Sequence, residues 1–288
     1  MDLTWQTFLA NAAGDVPVEI GWLRYVEAVR DLMDEVAAAK GMTDSQVRVA
    51  FAEVFAAQVL GAEWVDEHFR AYAGVTAEAH VRFKYRLWRL GRLLFDLQSY
   101  EFFGDFLANV KQRDLLGALF EAEVVRMLMQ LPARTALRVP RGQKGLDYDI
   151  DFGSSGLRIA VEVKAKDEKI TFSARTVRYT LQDARRQLPK NGFGLIFLRV
   201  PYSWINDPEY HAGIDAPIGS LLRTTSRVQA VVLVRDELVD RTAKTMRFEP
   251  SQRVLRRKDI NPDVERLLTF LEQLWASDWD PFGPASAL

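Results

Sequence analysis

One stretch constrains this 288-residue chain more than any other: Leu146 to Lys166, LDYDIDFGSSGLRIAVEVKAK. Two alternating runs are joined by Gly153-Ser154-Ser155-Gly156. Side chains along a β-strand alternate with a period of two, so each run has two distinct faces. The first run sets Asp147, Asp149 and Asp151 against Tyr148, Ile150 and Phe152. The second sets Glu162, Lys164 and Lys166 against Val161, Val163 and Ala165. A Gly-Ser turn between such runs predicts a β-hairpin. An ordinary surface hairpin, solvated on its charged side, would carry the same pattern. The apolar flanks favour strands near the middle of a sheet, where an unpaired carboxylate is costly. Carboxylates gathered beside a lysine there suit a divalent cation. Magnesium takes hard oxygen ligands, commonly one or two carboxylates plus substrate phosphates.

The rest of the chain narrows the chemistry. It has no cysteine, which excludes disulfides, zinc-thiolate sites and cysteine nucleophiles. His68, His80 and His211 stand far apart without metal-ligand spacing and read as surface or packing residues. No apolar run approaches the roughly 18 residues that cross a bilayer. The N-terminus, MDLTWQTF, lacks the basic and apolar regions of a signal peptide, so a cytoplasmic protein is expected. Charge is unevenly placed. Residues 1–80 carry five Lys/Arg against thirteen Asp/Glu, a balance of −8, which leaves +7 on residues 81–288. A basic remainder is compatible with a phosphate-bearing partner.

Residues 1 to about 75 read as helices, one from Ile20 to Ala39 and one from Thr43 or Asp44 through Leu60, on apolar residues at helical spacing. Trp5, Trp22 and Trp64 fit helix packing. Residues 81–98 form a helix with Arg82, Arg86 and Arg89 on one face and Leu87, Leu90 and Leu94 on another. Such a basic face is either simply solvated or a contact surface for a phosphate backbone. Asp114 to Gln130 is a further helix, ended by Pro132, with Glu121 among apolar neighbours. After the hairpin, Ser173 to Leu188 predicts a helix bearing Arg175, Arg178, Arg185 and Arg186 with Gln182 and Gln187. GLIFLRV (194–200) and VQAVVLVRD (228–236) read as strands. Between them a loop is expected from Pro201 to about Gly219, with Tyr202, Trp204 and Tyr210 favouring packing over base stacking. A last helix starts at Asn261-Pro262 and runs to about Trp275, ahead of a disordered tail. The order from residue 114 (helix, strand, strand, helix, strand, strand) predicts an α/β fold with a mixed sheet flanked by helices.

Glu121, Asp149 and Glu162-Val163-Lys164 fall in an order that resembles the PD-(D/E)XK phosphodiesterase superfamily, the restriction-endonuclease-like fold. Its hallmarks are a helix with a glutamate, a strand with an aspartate, and a next strand with Glu-x-Lys, then a helix and another strand. Here they correspond to Gly117-x-x-x-Glu121, Asp149, Glu162-Val163-Lys164, the 173–188 helix and GLIFLRV. The likeness covers about 114–236 and leaves the N-terminal hundred residues unmatched. Tyr148 precedes Asp149 where the superfamily often has proline, and three aspartates compete for that position. Asp149 stands 13 residues before Glu162, a common separation, with Asp147 next and Asp151 third.

The resemblance implies an all-helical domain at 1–105 followed by a nuclease-like domain at 106–288. It implies Mg²⁺ or Mn²⁺ on Asp149 and Glu162 with the Val163 carbonyl, reached by Glu121 directly or through water. Lys164 would orient and help deprotonate the attacking water. Gln182, Arg175 and Arg178, with Arg82, Arg86 and Arg89, would meet the nucleic-acid backbone. The expected function is a metal-dependent nuclease acting on DNA, in defence against foreign DNA, without a membrane. A homodimer or a protein partner engaged by the N-terminal helices is a further expectation. Two alternatives stand beside it: a nuclease-like fold that binds nucleic acid or protein without cutting, and an unrelated α/β protein with a charged surface hairpin.

Overall fold

The computed structural model describes residues 54–276 apart from 74–76, 99, 131–133, 138–146, 155 and 242–245. The helix expected at Ile20–Ala39, most of the one before Leu60, and the tail after 276 lie outside the described residues. The chain divides into two compact units, Met1–Glu123 with Asp280–Leu288, and Val124–Trp279. This division falls at residue 123/124, inside a helix.

In the first unit residues 54–60 are helical, and Gly61, at φ 104°, separates them from α1 (Ala62–Ala73). There follow α2 (Ala77–Leu97), α3 (Phe103–Val110) and the start of α4 (Leu115–Leu128). The apolar face of α2 is buried as its spacing predicts, with Leu87, Leu90 and Leu94 inaccessible and Phe95 set edge-on to Phe55 at 5.3 Å. Trp64 is a packing residue. Its ring stacks on His68 one turn away at 3.8 Å, and His68 Nδ1 lies 2.7 Å from the Trp64 carbonyl.

The basic face of α2 departs from expectation. Arg86 and Arg89 are 2 % and 1 % exposed. Arg89 pairs with Glu123 and donates to the Tyr85 hydroxyl at 3.3 Å. Arg92 Nε stands 3.4 Å from Asp96, one helical turn on. A buried cation needs a counter-ion and hydrogen bonds, and Glu123 and Asp96 supply carboxylates to two of them. Burial takes Arg86 and Arg89 away from any phosphate backbone at the surface, while Arg82 is half-buried.

The second unit is built on one six-stranded sheet, in the order β1 (Arg134–Leu137), β2 (Ile150–Ser154), β3 (Leu157–Ala165), β4 (Phe193–Arg199), β5 (Val228–Arg241) and β6 (Met246–Arg256). β1, β2 and β3 run antiparallel; β3, β4 and β5 are parallel; β6 is antiparallel to β5. The parallel β3–β4 step needs a crossover. It is α5 (Ala174–Gln187), capped by the Ser173 hydroxyl accepting from Thr176 N–H at 3.0 Å. Pro189 and Gly192, the latter at φ 146°, follow its end. α5 lays Val177, Leu181 and Ala184 over Ala160, Ile196, Leu198, Val231 and Leu233. The opposite face of the sheet, with Val161, Val163, Leu195, Phe197, Ala230 and Val232, is buried too. The sheet is thus covered on both sides, as parallel strands require.

Three departures concern connections. Residues 201–224, expected as a loop to about 219, form short helices α6 (Tyr202–Ile205), α7 (Pro208–Gly213) and α8 (Asp215–Thr224). Packing holds them: Trp204 and Tyr210 are buried edge-on against Phe172, and Trp204 Nε1 donates to the Ile170 carbonyl at 2.6 Å. β1 and β6 were not expected. α9 (Pro262–Ala276) closes the unit where a last helix was expected, tied to β6 by Arg256 bridging Glu265 and Glu272.

Gly194, at the start of β4, offers a direct test of this packing. A Cβ there would stand 2.8 Å from both the Arg227 carbonyl and Leu188 Cδ1. Gly194→Ala is expected to cost about 1–3 kcal/mol of stability, read as a lower urea midpoint with an unchanged m-value.

Candidate active site

The hairpin forms as its alternation predicts, with a shorter turn. β2 runs on through Ser154, and Gly156, at φ 93°, lets the chain reverse into β3. The first ladder pair at the other end is Ile150↔Val161. Just before it the chain bends at Asp149. The Asp149 carboxylate accepts the Val163 N–H at 2.7 Å, where a further β2 residue would otherwise have paired. Asp149 is thereby held against the main chain of Glu162-Val163-Lys164.

Because β2 begins only at Ile150, the pleat does not extend to Tyr148. Expected on the side of Ile150 and Phe152, Tyr148 instead packs with Ala160 and the α5 core. Asp151 belongs to a cross-strand pair, accepting from Arg158 Nε at 2.8 Å. That hydrogen bond is the main reason the Arg158 pKa is raised. Asp147 is half-buried ahead of the strand. Asp149 thus has a hydrogen bond to the β3 backbone.

Glu162 is fully buried, with Ile196 of β4 beside it. Its Oε1 lies 2.6 Å from Lys164 Nζ, itself 23 % exposed. The Gln187 amide at the end of α5 reaches the same carboxylate. With its NH2 toward Glu162 it donates to both oxygens, one at 3.1 Å; the reverse orientation would set oxygen against oxygen. Gln187 is therefore the α5 glutamine at the acid; Gln182, expected to meet the nucleic-acid backbone, is half-buried. The signal was present: Leu181, Ala184 and Leu188 define the buried stripe, and Gln187 lies one turn beyond Ala184 and Asp183.

Asp149, Glu162 and Lys164 thus gather at one end of β2 and β3. Glu121 belongs to the first unit. It is 1 % exposed, and Arg113 Nε lies 2.6 Å from its Oε2. Arg175 and Arg178 are exposed on α5. Among the described residues no group of three or more His, Cys, Asp or Glu side chains is disposed to hold a metal ion. Asp149 and Glu162 supply two hard oxygen donors, a set that suits Mg²⁺ when substrate phosphate completes it. A hollow of about 170 Å³ opens along the same face, lined by Tyr148, Arg158, Ala160 and Phe193. Another of about 200 Å³ lies between α7 and β6, near His211 and Gln252. Neither is lined by the three site residues.

No protein-family model matches this chain, and no curated protein or solved structure matches it either. Among the described residues no helix is long and apolar enough to cross a membrane.

Proposed function

We propose that this chain is a divalent-metal-dependent nuclease of the restriction-endonuclease-like kind, hydrolysing phosphodiester bonds in DNA. The observation that carries the reading is the junction of Asp149, Glu162 and Lys164: an aspartate anchored to the Val163 N–H, a fully buried glutamate, and a lysine 2.6 Å from it. The order of α4, β2, β3, α5 and β4 supports the same reading. A cation held by Asp149 and Glu162 would lower the pKa of a bound water and stabilise charge on the leaving oxygen. Lys164 would orient the attacking water and donate to phosphate oxygen. Gln187 keeps the Glu162 carboxylate in place, and Arg175 and Arg178 offer cations to flanking phosphates. Glu121, in the first unit, pairs with Arg113. A partner or second copy engaged by the N-terminal helices, and a role in defence against foreign DNA, belong to this proposal.

A second reading is favoured by the same ion pair. Lys164 already neutralises Glu162, so the acid is compensated without a cation, as in a module that binds nucleic acid but does not cut it. Supercoiled plasmid separates the two. The nuclease reading expects nicking with Mg²⁺ or Mn²⁺, none with EDTA, and a loss of about 10²–10³-fold in Lys164→Ala with unchanged circular dichroism. An inert wild-type protein that still shifts DNA would leave the binding module.

A further inference from the structure

Lys166 is a cation that the proposed chemistry leaves unused. It lies one residue past β3, and its N–H donates to the Arg199 carbonyl at 3.1 Å, carrying the β3–β4 pairing one step on. The alternation carries on with it, so Lys166 shares the sheet face of Glu162 and Lys164, about 7 Å from Lys164 along the strand. Lys164 has Glu162 as counter-ion. Among the described residues the Lys166 ammonium has no ion pair or hydrogen bond. The charged groups that face it are Lys164 from its own strand and Asp183 from α5. Burial first, and then Lys164, hold its pKa below the ordinary lysine value, with Asp183 opposing. A half-buried cation without a counter-ion is costly, and an anion from solution would remove that cost. The position also fits: Lys166 sits at the carboxyl end of a strand parallel to β4, where open α/β sheets bind their ligands.

We propose that Lys166 binds a backbone phosphate of the nucleic acid, next to the phosphodiester that Lys164 meets. The inference rests on the nucleic-acid reading above and adds to it a residue that holds the strand without taking part in the chemistry. The test is binding of a fluorescein-labelled mixed-sequence oligonucleotide, single-stranded and duplex, in EDTA over a range of salt. Lys166→Ala is expected to weaken binding about tenfold and to lower the slope of log affinity against log salt by about one, which Lys166→Arg restores. On the wild-type protein, the oligonucleotide should protect Lys166 from an amine-acetylating reagent, read by peptide mass spectrometry, so the result does not depend on the variant folding. Wild-type affinity and slope in Lys166→Ala, with Lys166 unprotected, would overturn the inference. Metal-dependent cleavage persisting in that case leaves the nuclease reading standing alone. A wild-type protein that neither binds nor cuts DNA removes both.

Discussion

Glu162→Gln is expected to bring metal-dependent plasmid cleavage below detection, a loss larger than the roughly 10–100-fold that follows removal of a residue that merely supports a metal ligand. The substitution keeps volume and hydrogen-bonding shape but removes the charge that a cation needs. Lys164 would lose its carboxylate, yet at 23 % exposure it can turn toward water. The stability cost should therefore be about 1–2 kcal/mol, below the roughly 3–5 kcal/mol of a buried pair broken on one side. A second readout does not depend on turnover. A ligand that binds only the folded state raises the melting temperature. Mn²⁺ should raise it in the wild-type protein and leave Glu162→Gln unmoved. Equal shifts in both proteins, or full cleavage by Glu162→Gln, would remove Glu162 from the site and, with it, the assignment of the chemistry to Asp149, Glu162 and Lys164.

The hairpin was legible because its period of two survives in the fold: Ile150, Phe152, Val161 and Val163 are all buried as the alternation requires. β4 and the start of β5 were legible as continuous apolar runs, the signature of strands covered on both faces. α5 was legible as a helix from about Ser173 that Pro189 and Asn191-Gly192 end. What the sequence hid depends on partners far along the chain. The arginines of α2 looked like a surface stripe because their charge is local while the carboxylate that meets Arg89 is Glu123, on another helix. The short helices at 202–224 have too few turns to show periodicity and are fixed by Phe172, Trp204 and Tyr210. β6 is polar and contains Pro250, so it reads weakly as a strand and depends on β5 for its pairing. At the site, the residue types were readable but the choice among Asp147, Asp149 and Asp151 was not. In the fold β2 begins at Ile150, and Asp149 just ahead of it meets the Val163 N–H.

Asp236→Ala should be the most destabilising substitution in the second unit. Arg199 ends β4 opposite Val234 of β5, and Asp236, two residues further, lies on the same face and pairs with it. The two side chains are 1 % and 5 % exposed. Removing the carboxylate takes this ion pair from a guanidinium that has little route to water. Breaking such a pair from one side costs about 3–5 kcal/mol, a large part of the roughly 5–15 kcal/mol that holds a domain together. Urea unfolding of Asp236→Ala should show the midpoint fall accordingly. The pair does not have to be ionic to hold the strands: Arg199→Met with Asp236→Leu should recover most of the loss, because well-packed apolar replacements of a buried pair are often neutral or stabilising. The pair lies on the sheet face opposite Glu162 and Lys164. The double variant should therefore cleave as the wild type does, whereas Glu162→Gln should be folded and inert. A loss below about 1 kcal/mol in Asp236→Ala would mean that Arg199 reaches solvent and that β4 and β5 are held by their backbone ladder and apolar side chains.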